Sequence, residues 1–174
     1  MQVKIKKVLQ GSILDIGGGG EGVIGRIYQG QVTAIDNRQE ELDEAPDGFK
    51  KLCMDASALS FADASFDHVT AFYAFLYISR ELRERVIQET VRVLRPGGTY
   101  EIWDAEVESA YPEAFEVELD IDAAGWPIHV TYGMIKKNAA QLCEDYIRLC
   151  AAAGLSLQKQ ENNSGQFYLQ FVRM

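Results

Sequence analysis

A run of glycines directly after a short apolar segment is the part of this 174-residue chain best suited to chemistry. Residues 13–16 read as a short buried strand, and five of the six residues 17–22 are glycine. Glycines between a strand and a helix let backbone N–H groups approach a ligand closely, because no Cβ stands in the way. Asp15 lies two residues before the first glycine, where a carboxylate would repel a pyrophosphate and suit a ligand that carries an ammonium group. We therefore expect a ligand site here; the alternative is a strand–helix turn that binds nothing.

The glycine spacing by itself leaves the ligand open. Residues 17–22 satisfy the G-x-G-x-x-G pattern of dinucleotide sites, and Asp36 follows a second apolar segment. A nicotinamide-dependent oxidoreductase, using NAD or NADP, is thus one alternative. Four features argue against an oxidoreductase: Asp15, Asp55, the hairpin expected at the end of the chain and the lack of a recognisable catalytic tyrosine–lysine pair.

Composition narrows the classes of function. The chain is 47% hydrophobic, enough for one compact domain with a core, and we expect a single domain over 1–174. Its net charge of −9, without any lysine- or arginine-rich run, speaks against direct nucleic-acid binding. We find no stretch with the roughly 18 apolar residues of a membrane span and no signal-peptide core. Three cysteines without C-x-x-C spacing and two histidines favour a reduced, metal-free, cytoplasmic protein.

Strand and helix patterns alternate along the chain and indicate the fold class. A helix is expected between Ser79 as its N-cap and the Arg-Pro-Gly-Gly segment 95–98, and another over 138–153. The remaining patterns predict strands at 13–16, 32–36, 66–72 and 99–103, and a closing antiparallel hairpin from 155–160 and 167–172. Together they predict an α/β, doubly wound, mostly parallel sheet that ends in an antiparallel C-terminal hairpin.

Residues 105–137 interrupt this alternation. Apolar and acidic residues alternate strictly over 115–121, a Gly-Trp-Pro turn follows at 125–127, and 128–132 could pair back as a strand. We expect an inserted hairpin that contributes to a substrate region.

The order of these motifs resembles that of a known family. Ile-Leu-Asp-Ile-Gly-Gly-Gly-Gly, then Ala-Ile-Asp36, then Asp55, then Ser-Phe-Asp67 and Leu-Arg-Pro-Gly-Gly98 are similar to class I S-adenosylmethionine-dependent methyltransferases. The likeness is to the branch of type 11 and ubiquinone-biosynthesis methyltransferases and covers roughly residues 11–104. It implies a Rossmann-like fold, S-adenosylmethionine as the cofactor and transfer of its methyl group to an acceptor, most simply a small molecule.

The resemblance also implies roles for particular residues. Three glycines of the turn would pass against the methionine portion of the cofactor, whose ammonium group would lie near Asp15, directly or through water. Asp36 would accept hydrogen bonds from both ribose hydroxyls, as an acid does in the related dinucleotide fold. Asp55 would accept from the adenine amine. Either acid, taken alone, could instead be a helix N-cap or a turn residue. The implied cofactor-binding set is Asp15, Gly17, Gly18, Gly19, Asp36, Asn37, Asp55, Ala56, Ala71 and Phe72, in which Asn37 and the Ala56 N–H would border the adenine and Ala71 and Phe72 would line the sulfonium end.

The chain departs from the family pattern in two places. Only residues 1–10 precede the first motif, where related enzymes carry covering helices, so we expect an open site. A large substrate, a second subunit or the 105–137 insertion would then close it. The pair Leu76-Tyr77 stands where the family often has two histidines.

No catalytic base can be assigned from the sequence. Methyl transfer from a sulfonium needs mainly positioning and exclusion of water. Four residues near the expected site could act on a protonated acceptor: Tyr73, Asp104, Glu106 and His129. Tyr73 and its aromatic neighbours at 75 and 77 either shape a substrate pocket or pack the following loop. A second hypothesis is therefore a cofactor-binding module that acts as a partner or sensor without catalysis.

Overall fold

The computed structural model describes residues 2–108, 112–135 and 140–174. Ten strands are present in these segments: β1 Gln2–Ile5, β2 Ile13–Ile16, β3 Val32–Asp36, β4 Lys50–Cys53, β5 Phe66–Phe72, β6 Leu94–Ala105, β7 Phe115–Ala123, β8 Trp126–Met134, β9 Leu155–Asn163 and β10 Gln166–Arg173. The same segments contain four α-helices: α1 Val23–Tyr28, α2 Gln39–Glu44, α3 Arg80–Val93 and α4 Cys143–Ala152. None of these helices is long and apolar enough to cross a membrane.

Seven strands form the central sheet, in the order β4-β3-β2-β5-β6-β10-β9. The first five of these pair in parallel, and β10 pairs antiparallel with both β6 and β9. The predicted fold class, a mostly parallel α/β sheet with an antiparallel C-terminal hairpin, is confirmed. The strand order reverses between β2 and β5, and such a reversal opens a crevice at the carboxyl ends of the strands.

Each face of the central sheet has its own apolar core. Strand alternation sends Leu14 and Ile16 of β2 into the core shared with α3 and α4, while Ile13 joins the core shared with α1. The second core is covered by a three-stranded sheet in the order β1-β7-β8. In that sheet, β7 and β8 pair antiparallel at the segment where we expect the inserted hairpin, and β1 pairs in parallel with β7.

The start of α4 differs from the sequence prediction. The expected helix begins at Asn138, which lies outside the described residues, but the described helix begins only at Cys143. Gln141 instead forms an antiparallel bridge with Val107, and its side chain donates to the Asp104 carboxylate at 2.8 Å. These tertiary hydrogen bonds hold the segment before α4 extended, which a helical repeat in the sequence could not reveal.

The glycine pair Gly97-Gly98 near the start of β6 shows how closely β5 and β6 approach. A Cβ on Gly98 would lie 2.6 Å from the carbonyl oxygen of Asp67 and 2.9 Å from that of Arg95, both of them backbone atoms. A Cβ on Gly97 would meet nothing within 4 Å, although its φ of +77° disfavours any side chain. Gly98 is therefore a packing requirement, and Gly97 a local conformational one.

This difference predicts unequal costs for two neighbouring substitutions. Gly98→Ala should lower the free energy of unfolding by about 3 kcal/mol, because the added methyl group pushes β6 from β5. Gly97→Ala should lower it by only about 1 kcal/mol, through backbone strain. Urea unfolding followed by tryptophan fluorescence measures both, and equal losses would contradict the packing explanation.

Candidate active site

A cavity of about 720 Å³ lies at the carboxyl ends of the parallel strands, where the strand order reverses. Its wall is formed by the glycine turn after β2, the residues that follow β3, β4 and β5, the first part of α3, and β8. This volume falls within the range of about 300–1,000 Å³ that is usual for small-molecule sites.

The glycine turn presents its backbone to the cavity because residues 17–20 carry no side chains. A Cβ on Gly17 would lie 2.7 Å from the Cβ of Ala74, and one on Gly19 would lie 2.5 Å from the Cβ of Glu41. The N–H groups of Gly17 and Gly18 donate to the carbonyl oxygen of Ile35, at 2.8 and 3.1 Å. These two N–H groups therefore serve the neighbouring strand, and the turn offers the cavity a bare backbone surface. Gly18 is buried and lies off the wall.

Asp15 lies behind this turn. Its side chain is 2% exposed and is not part of the cavity wall, and its Oδ1 accepts a hydrogen bond of 2.7 Å from the Thr70 hydroxyl. Burial raises the pKa of Asp15 to about 7; the negative charge of Asp36 adds to the shift, while the Thr70 hydrogen bond opposes it. A Cβ on Gly18 would lie 2.5 Å from Asp15 Oδ2, so this carboxyl needs glycine above it.

Two acids from neighbouring strands meet at the far end of the cavity. Asp36 ends β3 and Asp55 follows β4, and both line the cavity together with Asn37 and Ala56. Each acid also shapes its own turn: Asp36 Oδ1 accepts from the Arg38 N–H at 3.0 Å, and Asp55 Oδ1 accepts from an N–H two residues later at 2.8 Å. The turn role and a ligand role are thus compatible, since each carboxylate keeps a second oxygen.

The wall after β5 begins one residue later than predicted. Ala71 is fully buried in the sheet and does not reach the cavity, whereas Phe72, Tyr73 and Ala74 line it. Successive strand side chains point to opposite faces, and Ala71 falls on the face that packs against the helices. The chain leaves the strand direction at Tyr73, which has a φ of +52°.

The inserted hairpin, expected to contribute to a substrate region, supplies part of the cavity wall through residues that the sequence did not identify. Thr131 and Tyr132 of β8 line the cavity. The Tyr132 ring stacks on the Tyr73 ring with 5.1 Å between centroids and 7° between planes. The backbone N–H of Gly133 donates to the hydroxyl of Tyr77 at 3.3 Å. Of the three possible covers considered above, the insertion is therefore one that reaches the site.

The candidate bases are distributed unevenly around the cavity. Tyr73 lines it, whereas Asp104, Glu106 and His129 do not. Asp104 is fully buried, and its carboxylate accepts from Gln141 and from the backbone N–H of Phe75 at 3.0 Å. Burial raises the pKa of Asp104 to about 7.

The two remaining candidates have partners away from the cavity. Glu106 accepts a hydrogen bond from the backbone of Cys143 at 3.3 Å, and exposed His129 pairs with Asp120 at 2.9 Å. Asp104 therefore holds the segment after β5 in place, and neither Glu106 nor His129 lies at the cavity.

The buried Asp15 carboxyl predicts a pH-dependent effect on stability. Its raised folded pKa means that the folded chain keeps a proton that the unfolded chain releases between about pH 4 and 7, so the stability contributed by Asp15 falls as the pH rises through this window. Asp15→Asn removes that titration. The variant should gain free energy of unfolding relative to the parent, on the order of a few kcal/mol, between pH 4 and pH 8.

Urea unfolding at several pH values measures this effect. Glu44→Gln, which removes an exposed acid from α2, is the matched control and should not show the trend. A constant difference between Asp15→Asn and the parent across the pH range would contradict the buried titration.

Comparison with known proteins finds matches by sequence and matches by structure. The family model of a methyltransferase domain matches residues 14–102. Sterol 24-C-methyltransferase from Neurospora crassa is 32% identical over 115 residues, a match that covers 59% of this chain and 29% of that protein. The chain therefore spans less than a third of the length of this relative.

Solved structures share the fold at low sequence identity. A protein from Pyrococcus horikoshii superposes with a TM-score of 0.71 at 14% identity, covering 95% of this chain and 84% of the other. An S-adenosylmethionine-dependent methyltransferase from Mesorhizobium loti superposes with a TM-score of 0.65 at 16% identity, covering 93% and 90%. The family model spans just over half of the chain, including the glycine turn, both acids and the wall after β5; this chain belongs to the methyltransferase domain family, the class I S-adenosylmethionine-dependent methyltransferases.

Proposed function

We propose that this chain transfers the methyl group of S-adenosylmethionine to a small-molecule acceptor bound in the 720 Å³ cavity. The observation that carries the proposal is the meeting of three features in one cavity: a turn without side chains and two acids at the ends of adjacent strands. S-adenosylmethionine is the cofactor that family membership implies. Its ribose hydroxyls, adenine amine and ammonium group all donate hydrogen bonds, which carboxylates can accept.

The residues present fit this cofactor. In our proposal Asp36 accepts from the ribose hydroxyls and Asp55 from the adenine amine, with Asn37 and the Ala56 N–H beside the base. Gly17 and Gly19 offer the amino-acid portion a bare backbone surface, and a Cβ on either would collide with Ala74 or Glu41. Asp15 and Gly18 act from behind the turn. Burial raises the pKa of Asp15 to about 7, and an ammonium group bound in front of the turn would favour the ionised form of this carboxyl and gain from its charge. Phe72 faces the sulfonium end, and Ala71 supports it from inside the sheet.

The protein's contribution to the reaction is positioning. The cofactor supplies an activated methyl group on a cationic sulfur. Phe72, Tyr73 and Tyr132 surround the acceptor end with aromatic rings, which exclude water from it and orient the acceptor. Two parts of the fold set this wall: β8, and the backbone hydrogen bond from Phe75 to Asp104.

A non-catalytic binding module is the second candidate. The observation that favours it is that Asp104, Glu106 and His129 all lie off the cavity wall. The two candidates differ in one result. A binding module binds S-adenosylmethionine but releases no S-adenosylhomocysteine in the presence of any acceptor. A methyltransferase releases S-adenosylhomocysteine in proportion to the methylated acceptor.

The assigned roles of the two acids predict a loss of cofactor affinity. Asp36→Asn keeps an oxygen for the Arg38 N–H but replaces the second carboxylate oxygen by an amide donor. We expect S-adenosylhomocysteine to bind about 10- to 100-fold more weakly, the cost of hydrogen bonds to a charged group. Asp55→Asn should weaken binding by about tenfold. Isothermal titration calorimetry measures all affinities.

Glu40→Gln is the matched control, because Glu40 is an exposed acid in the first turn of α2, close to Asp36 in sequence and away from the cavity wall. Its affinity should stay within about twofold of the parent. The proposal fails if the parent binds neither S-adenosylmethionine nor S-adenosylhomocysteine at millimolar concentration.

A further inference from the structure

Three tyrosines form one side of the cavity. Tyr73 and Tyr77 follow β5 and Tyr132 lies on β8, and all three line the cavity. The stacked rings of Tyr73 and Tyr132 bring together two segments almost 60 residues apart in the sequence. Phe72 contacts both of these rings edge-on, with centroid distances of 5.0 and 6.3 Å. The result is a continuous aromatic wall, which we call the tyrosine wall and define as Tyr73, Tyr77 and Tyr132.

Two hydroxyl groups of the tyrosine wall lack protein partners. Within the described residues, the Tyr77 hydroxyl accepts a hydrogen bond from Gly133, whereas the Tyr73 and Tyr132 hydroxyls have no such partner. Tyr73 is only 2% exposed. Neither hydroxyl is among the fully buried side-chain atoms without a partner, so each can be reached by a molecule from outside the protein. The cavity beside these hydroxyls is therefore suited to a ligand that carries its own hydrogen-bonding group.

The charges around the tyrosine wall are of one sign. Four carboxylates lie on the cavity wall: Glu21, Asp36, Glu41 and Asp55. Among the described residues of that wall the only basic side chain is Arg38, and its guanidinium is held by Glu41 at 2.8 Å.

The pKa values of the three tyrosines reflect their burial and the carboxylates near them. Burial is the main reason why the pKa of each of the three phenols is raised, so that all three stay neutral at physiological pH. Asp104 adds to the pKa rise of Tyr73 and Tyr77, and Glu21 adds to that of Tyr77 and Tyr132. Carboxylates add to the rise of all three pKa values, and neighbouring phenols add to that of Tyr132.

From this wall we infer the chemical class of the acceptor: a small primary or secondary amine, bound between the tyrosine wall and Glu21. The inference rests on the proposed methyl transfer. Aromatic faces attract a cation, carboxylates add negative potential, and a phenol oxygen accepts an amine N–H while leaving the nitrogen lone pair free. A carboxylate or phosphate acceptor would face Glu21 without a free basic side chain among the described residues of the wall. A purely apolar acceptor would leave the Tyr73 and Tyr132 hydroxyls unpaired.

The reaction balances without any further reactant. The amine enters as an ammonium ion and releases one proton to solvent. Its nitrogen lone pair then forms the new carbon–nitrogen bond while the carbon–sulfur bond breaks, and that electron pair remains on sulfur as a neutral thioether. The methylated nitrogen carries the positive charge.

Three four-carbon compounds that differ only in their head group test this inference: n-butylamine, n-butanol and butanoate. Each is titrated by NMR into protein saturated with S-adenosylhomocysteine, and each is incubated with S-adenosylmethionine and enzyme. We expect butylamine to bind at least about tenfold more tightly than butanoate and about fivefold more tightly than butanol, the usual strength of a partly desolvated cation–π contact. Only butylamine should gain methyl groups by mass spectrometry.

Substitutions at Tyr132 test whether its ring causes the preference for butylamine. Tyr132→Leu should reduce the advantage of butylamine over butanol to less than about twofold, because it removes the ring. Tyr132→Phe keeps the ring and should lose only about threefold in butylamine affinity. His129→Gln, on the same strand but paired with Asp120 away from the cavity, should leave the preference unchanged.

The outcomes separate this inference from the proposed function. Failure of the parent protein to bind S-adenosylhomocysteine would refute the proposed function itself. Normal binding of S-adenosylhomocysteine with butanoate or butanol preferred, or equal to butylamine, would overturn the amine inference alone. Binding of S-adenosylhomocysteine within about twofold of the parent serves as the folding check for each variant. If Tyr132→Leu does not pass this check, the butylamine affinity of Tyr132→Phe decides whether Tyr132 contributes to amine binding.

Discussion

Two backbone hydrogen bonds, from the N–H groups of Gly17 and Gly18 to the carbonyl oxygen of Ile35, hold the end of β2 against the end of β3. A third, from the Gly20 N–H to the Glu41 carbonyl oxygen at 2.7 Å, attaches the same turn to α2. Side chains cannot enter this contact at residues 17–19, because Cβ atoms there would lie only 2.5–2.7 Å from their nearest neighbours. The contact brings Asp36 to the cavity and leaves open the space above β2. The position of the cavity and the acids on its wall follow from it.

The opposite side of the cavity depends on a different part of the fold. Tyr132 belongs to the small sheet β1-β7-β8, which packs through β7 onto α1 and shares its core. The helix that follows the glycine turn therefore also supports the sheet that carries the acceptor wall. On the other side of Tyr73, the Asp104 carboxylate accepts the Phe75 N–H and fixes the segment after β5. In our proposal, one cavity thus combines a cofactor half built by the central sheet with an acceptor half to which the insertion contributes.

The features predictable from the sequence are those encoded locally. A strand followed by glycines, an acid at the end of the next strand and alternation in the last two strands predict most of the sheet. The strand before Asp55, β4, is not among the predicted strands. What sequence patterns could not predict depends on packing between distant segments. The pairing of β1 with β7 joins residues more than 110 positions apart, and Tyr132 reaches Tyr73 only after the hairpin folds back.

Ala71 and Asp15 illustrate a second limit of prediction. The sequence predicts strands there, but which face each side chain joins depends on the register and on what covers the sheet. Ala71 therefore lies one position short of the cavity wall, and Asp15 lies behind the turn and not on its ligand side.

A crystal structure with S-adenosylhomocysteine bound tests the central claim most directly. The account predicts the ribose within hydrogen-bond distance of Asp36, the adenine beside Asp55 and Ala56, the amino-acid portion over Gly17 and Gly19, and the sulfur facing the tyrosine wall. S-adenosylhomocysteine bound elsewhere, or in this cavity with its sulfur turned away from Tyr73 and Tyr132, would contradict it.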